Sequence, residues 1–330
     1  MKKLLPVHKP FMSYRPRDNY IFSILGEDDY FYEYIFENYI QICFYYNTKW
    51  KNIVTLSYED MYHSYAKSAC LDCVFIHRNN FNLLKNDFVD SLIALIDDGY
   101  YISISINKYY IKNYAATGHY PHQMMICGYS LDEQLFYFMD FINGKYKNGQ
   151  CYFNELIDAF QNYRLTNIVN YYDGILAVKK RENYNCSINI NSFVSQLYSL
   201  LNEKYSFNET SFGISWFDAI EYSIKNRLET FDIKDTMLRY HYLAEHINLM
   251  IKRVLYLMRD NVHSSLSQIE EGLIYLHRHI NLKRNKCLKL QYTSDSLYIE
   301  DTELQEDILQ SYRKIKCEYR EIINHMINFF

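Results

Sequence analysis

The sequence predicts an α+β fold: a first domain built on an antiparallel sheet, then an all-helical second domain. Two observations carry this reading. The segments "HQMMICGYS" (122–130) and "QLFYFMDF" (134–141) are rich in β-formers and separated only by "LDE", the spacing of a hairpin. Beyond about residue 185 turn residues become scarce, and long stretches take up the 3-4 apolar spacing of buried helix faces. The domains are therefore expected at 1–185 and 186–330.

The N-terminal "MKKLLPVHKP" has an apolar run of only Leu4 and Leu5, against the roughly 7–15 residues of a signal sequence. No run reaches the roughly 18 apolar residues of a membrane span. A cytoplasmic protein is expected, with no membrane partner. Residues 19–47 read as helix, a "GEDD" break, then helix again, with Tyr32, Ile35, Phe36, Tyr39 and Ile40 on one face. "CVFIHRN" (73–79) reads as a short strand and "LKNDFVDSLIALIDDG" (84–99) as a helix capped by Gly99. In "YYISISINKYY" (100–110), Ile102, Ile104 and Ile106 alternate with serines at the period of a strand. The hairpin follows, then a helix over 152–163 and a strand over 171–180. In the second domain Leu243, Ile247, Met250, Ile251, Val254 and Leu257 mark a buried helix face.

The net charge of −4 gives no electrostatic footprint for nucleic acid. The 36 tyrosines and 20 phenylalanines fit a coding sequence rich in A and T, or tyrosines that line a pocket for a large ligand. The eight cysteines are scattered, and "CLDC" (70–73) has no second CxxC to complete a four-thiolate zinc site. No glycine-rich phosphate loop is present. No cofactor or metal is implied.

His122 opens one hairpin strand and Asp140 stands near the end of its partner. Side chains opposed across such a ladder lie close enough to interact. A carboxylate bonded to one imidazole nitrogen fixes the tautomer and leaves the other nitrogen as a base. His119, in the preceding loop, is a second candidate base. The order helix, helix, strand, His-strand, Asp-strand is that of a papain-like core, whose nucleophile opens the first helix.

The segments "LIDDGYYISISINKYYI", "GHYPHQMMICGYSLDEQLFYFMDF" and "YFNELIDAF" resemble the N-terminal domain of the butirosin biosynthesis protein H family. That family is related in fold to bacteriocin-processing cysteine peptidases. The likeness covers residues 80–160 well and 10–80 loosely. It implies a papain-like domain with His122 as general base and Asp140 as its orienting partner. It places Asn19 where the family has its thiol and Ser23 four residues later. Asn107 stands where the family has an aspartate. Ser23, Asn107 and His119 are expected on the substrate side. The implied function is specialised-metabolite (antibiotic) biosynthesis by an acyltransferase or amide-forming enzyme acting on carrier-protein thioesters. The partner would be an acyl or peptidyl carrier protein, or a small acyl substrate, and a homo-oligomer stays open. The alternative is a degenerate papain-like fold that binds an acyl carrier, a peptide or a small product. A cysteine peptidase is the third reading.

Overall fold

The computed structural model describes residues 1–12, 16–45, 54–55, 68–81, 88–163, 173–202, 206–207, 210–225, 232–259, 264–293 and 302–330. The chain runs β1 (Lys2–Leu4), α1 (Pro16–Leu25), α2 (Asp29–Glu37), β2 (Cys43–Tyr45), β3 (Val54–Thr55), β4 (Leu71–His77) and the single turn α3 (Arg78–Phe81). Next come α4 (Phe88–Asp97), β5 (Tyr101–Asn107), two 3-10 turns (Lys108–Tyr110 and Lys112–Tyr114), β6 (Pro121–Ser130), β7 (Leu135–Ile142), β8 (Lys145–Tyr152) and α5 (Phe153–Gln161). The rest are β9 (Gly174–Lys180), α6 (Ile190–Asn202), β10 (Ser206–Phe207), β11 (Thr210–Phe212), α7 (Ser215–Lys225), α8 (Ile233–Leu257), α9 (Ser264–Thr293) and α10 (Thr302–Phe329). The chain is thus mixed helix and antiparallel sheet with a helical C-terminal part. It forms two compact units, residues 1–31 with 65–186 and residues 32–64 with 187–330.

The first unit holds a seven-stranded sheet in the order β4-β9-β5-β6-β7-β8, with β1 added alongside β6. All its pairings are antiparallel. One face is the main core. Ile102, Ile104, Ile106, Met124, Ile126 and Phe138 alternate inward from the strands. Leu92 and Ile96 of α4 and Leu156 and Phe160 of α5 close over them. The other face meets α1, which packs against β6, β7 and β9. Gly128 is required where it stands, because a Cβ there would collide with the Lys3 carbonyl of β1.

Strand β8 is not among the elements read from the sequence, which go from the hairpin directly to the helix over 152–163. Asn143 and Gly144 both take positive φ, 54° and 73°. That is the geometry of a tight two-residue hairpin turn. It sets the register Ile142↔Lys145 and Asp140↔Lys147. Strand β1 was likewise not legible as a strand, being three residues long.

The second unit carries α6 to α10. Leu243, Ile247, Met250, Ile251 and Val254 of α8 are buried, and Leu257 at its end is half-buried. Arg253, on the same helix, is fully buried and donates to the carbonyls of Ile35, Asn38 and Tyr39 where α2 ends. A cation on the last carbonyls of a helix is the favourable end for its charge. The unit also contains a small four-stranded sheet, β10-β11-β2-β3. The sequence had suggested helix through 44–45 and helices alone after 185.

Candidate active site

Helix α1 begins at Pro16, whose missing N–H costs nothing in a first turn. Asn19 and Tyr20 follow at once, and both are buried. The Tyr20 hydroxyl lies 2.6 Å from the Gln123 carbonyl oxygen and 3.1 Å from Asp140 Oδ1. Gln123 is the second residue after Pro121, so α1 is tied to the start of β6.

His122 and Asp140 come together across the β6–β7 hairpin. His122 Nε2 lies 2.6 Å from Asp140 Oδ2. With Nε2–H as the donor, the Nδ1 lone pair is left over. Among the described residues Nδ1 has no hydrogen-bond partner. The ladder ends at Met125↔Met139, so the two residues are diagonal neighbours beyond the last paired rung. Asp140 is fully buried, while the His122 side chain is 22% exposed. The carboxylate is hidden and the base can be reached.

A third donor completes the hub. Tyr114, from the 3-10 turns between β5 and β6, donates its hydroxyl to Asp140 Oδ2. Its ring meets His122 edge-on at 5.8 Å and lies against Phe138 at 5.5 Å. The Lys108 ammonium rests 4.3 Å over the same ring. Burial, and then the charge of Asp140, push both the Tyr20 and the Tyr114 hydroxyls well above the usual phenol range. Both therefore stay protonated, as donors, across neutral pH.

The site spans the sheet. Ile106↔His122 is a cross-strand pair, which puts His122 on the core face with Ile106. Gln123 and Met125 look the other way, toward Tyr20, Ile21 and Ile24 of α1. Tyr20 reaches Asp140 from that opposite side, through the gap left where β6 and β7 stop pairing.

The remaining expected residues divide into two places. Asn19 and Ser23 stand four residues apart on one stripe of α1, both fully buried. Ser23 Oγ is 3.1 Å from the Tyr146 hydroxyl of β8, and the Tyr146 ring neighbours that of Tyr20 at 6.4 Å. Among the described residues neither polar atom of the Asn19 amide has a hydrogen-bond partner. Asn107 and His119 form a separate pair: Asn107 Nδ2 lies 3.0 Å from His119 Nδ1 and 3.1 Å from the Asn162 carbonyl oxygen. Asn107 Oδ1 also accepts the Tyr109 N–H, so this side chain staples the turn after β5. His119 packs against Tyr109 rather than against the His122–Asp140 pair.

Among the described residues no thiol, and no hydroxyl other than those of Tyr20 and Tyr114, touches the pair. Burial pushes the Cys73 and Cys127 thiols up to about 12 and raises Cys151 further. Cys43 lies on strand β2, not at a helix end. No group of three or more His, Cys, Asp or Glu side chains among the described residues could hold a metal ion. No described helix is long and apolar enough to cross a membrane. Sequence reasoning missed Tyr20 and Tyr114, which no spacing rule distinguishes among 36 tyrosines.

Comparison with protein families finds no family that matches this chain, and comparison with curated proteins finds no match either.

Proposed function

We propose that the first unit is a papain-like domain that moves an acyl group from a carrier-protein thioester to an amine in specialised-metabolite assembly. One observation carries the reading: a reachable imidazole held by a buried carboxylate, with Nδ1 free to take a proton. The amine nitrogen attacks the thioester carbonyl while His122 Nδ1 accepts the amine proton. The C–S bond then breaks, and the departing thiolate takes that proton back from His122. An amide and a free thiol result. With Asn19 at the implied thiol position, the transfer is direct and passes through no acyl-enzyme.

The test is an acyl-carrier thioester incubated with the full chain and a panel of primary amines, reading free thiol and amide together. Thiol release should depend on the amine and fall roughly 100-fold or more in His122→Ala. Turnover unchanged by His122→Ala would remove His122 from the chemistry. The buried amide of Asn19 favours one second reading, a binding module of the same fold. That reading requires the carrier to bind with no thiol release at all.

A further inference from the structure

The proposed transfer leaves unused a cation that stands beside His122. The Lys108 N–H donates to the Tyr120 carbonyl oxygen at 2.9 Å. That bond extends the β5–β6 ladder one rung beyond Asn107↔Pro121 and two beyond Ile106↔His122. Lys108 therefore shares a sheet face with Ile106 and His122, as a diagonal neighbour of His122. Such neighbours lie roughly 7–8 Å apart, within reach of a long side chain. The ring contacts agree. The Lys108 ammonium sits 4.3 Å from the centroid of the Tyr114 ring, and the same ring meets His122 edge-on at 5.8 Å.

This ammonium is short of an anion. Lys108 is half-buried, and burial holds it below the usual lysine range. The charge of Asp140 offsets part of that loss without forming an ion pair. The Asp140 carboxylate is already taken by Tyr20, His122 and Tyr114. Among the described residues Lys108 Nζ has no ion pair and no hydrogen-bond acceptor. A cation that has lost water and gained only a ring face keeps three N–H donors to give. A carboxylate from outside would supply the acceptor and the counter-charge together. It needs no enclosed cavity: the His122 edge is reachable, and Tyr109 and Tyr120, which flank Lys108, are exposed.

We propose that the acyl acceptor is a short amino acid, its amine at His122 and its carboxylate on the Lys108 ammonium. This rests on the acyl-transfer reading and names the acceptor class for it. The neutral amine forms the new C–N bond, and the thioester C–S bond breaks. The amine proton passes through His122 to the departing thiolate, while the carboxylate stays unreacted on Lys108. The products are an N-acyl amino acid and the free carrier thiol.

The probes are β-alanine and 3-amino-1-propanol, which differ only in carrying a carboxylate or a CH2OH group. Each is titrated into the full chain by saturation-transfer NMR, with no carrier present. β-Alanine should bind saturably and at least roughly tenfold more tightly than the alcohol, the worth of one charge-assisted hydrogen bond. Lys108→Met should remove that preference, and Lys108→Arg should keep most of it. With an acyl-carrier thioester added, Lys108→Met should raise the KM for β-alanine about tenfold and leave kcat nearly unchanged. Absence of saturable β-alanine binding overturns the proposal. So does equal affinity for the acid and the alcohol, or a preference that survives Lys108→Met. Transfer to 3-amino-1-propanol as efficient as to β-alanine also overturns it, while sparing the transfer reading. Lys108-dependent binding of β-alanine with no thiol release has the opposite meaning: the carboxylate site stands and the transfer reading fails.

Discussion

Asp140→Asn is the sharpest test of the site, because it keeps the shape and removes the charge. Asp140 accepts from Tyr20 at 3.1 Å, from His122 at 2.6 Å and from Tyr114, with no access to water. An asparagine offers one acceptor oxygen and one NH2. With the oxygen toward His122 and Tyr114, the NH2 faces Tyr20. Tyr20 can turn its proton wholly to the Gln123 carbonyl, 2.6 Å away, and accept instead. The substitution therefore leaves every donor partnered, but changes three charge-assisted bonds into neutral ones. The loss is about 1 kcal/mol per bond, partly offset by no longer burying a charge, for a net cost of about 1–3 kcal/mol. Asp140→Ala differs in kind. It leaves the Tyr114 hydroxyl and the His122 N–H without acceptors, at about 1–3 kcal/mol each, in addition to the cavity. Urea unfolding should thus rank wild type above Asp140→Asn above Asp140→Ala, on the transition that Tyr114→Phe also moves. Amide formation should fall roughly 100-fold to 10,000-fold in Asp140→Asn, because the imidazolium loses its counter-charge. An alanine variant as stable as the asparagine variant would refute Asp140 as the common acceptor.

Other expectations follow from the same reasoning. Burial, and then Arg253, hold the His246 imidazole down to about 3, and it is fully buried beside the Tyr319 hydroxyl at 2.6 Å. The unfolded side chain protonates near its ordinary 6.5, so its contribution to stability is complete above that pH and is lost as pH falls toward 3. Urea midpoints measured from pH 7 to 4 should fall less steeply in His246→Gln than in wild type, and equal slopes would contradict this. Iodoacetamide at pH 7.5 should modify exposed Cys317 first and reach Cys127 and Cys151 only after denaturation; rapid native labelling of Cys127 would mean that its burial is wrong. Asn19→Cys should gain a covalent acyl adduct from carrier thioesters, visible by intact mass and lost again with His122→Ala. An adduct that survives His122→Ala would detach α1 from the proposed site.

The His122–Asp140 pair was legible because it follows from a local rule: a short turn folds two strands back, and side chains at their far ends meet. The exact register was not. The ladder stops at Met125↔Met139, and only that early stop admits Tyr20 between the strands. β8 escaped the sequence reading for a different reason. Of its eight residues only Cys151 is buried, so it shows no apolar face, and the readable signal was the Asn143–Gly144 turn before it. The grouping of 32–64 with 187–330 depends on contacts far apart in sequence, such as Arg253 with the carbonyls ending α2. Helical periodicity is the same whichever neighbour a helix packs against, so no pattern along the chain marks that grouping.

Asn19 and Asp140 bury polar groups in opposite ways. Asp140 is surrounded by donors, and its burial is explained by the bonds it accepts. Asn19 buries a whole amide with no partner for either end among the described residues. An unsatisfied buried polar group costs about 1–3 kcal/mol, and an apolar residue at the same place would remove that cost. Leucine or alanine would also suit a helix interior better. Local stability therefore gives no reason for an amide in the first turn of α1, next to the tyrosine that holds Asp140. The amide makes physical sense if its partner arrives from outside, as an acyl carbonyl or amide nitrogen presented at the start of the helix. On that view, the cost at Asn19 is carried by the free protein and recovered when substrate binds. Asn19→Leu should then raise thermal stability while weakening acyl-carrier binding. A variant that changed neither would return Asn19 to an ordinary core position.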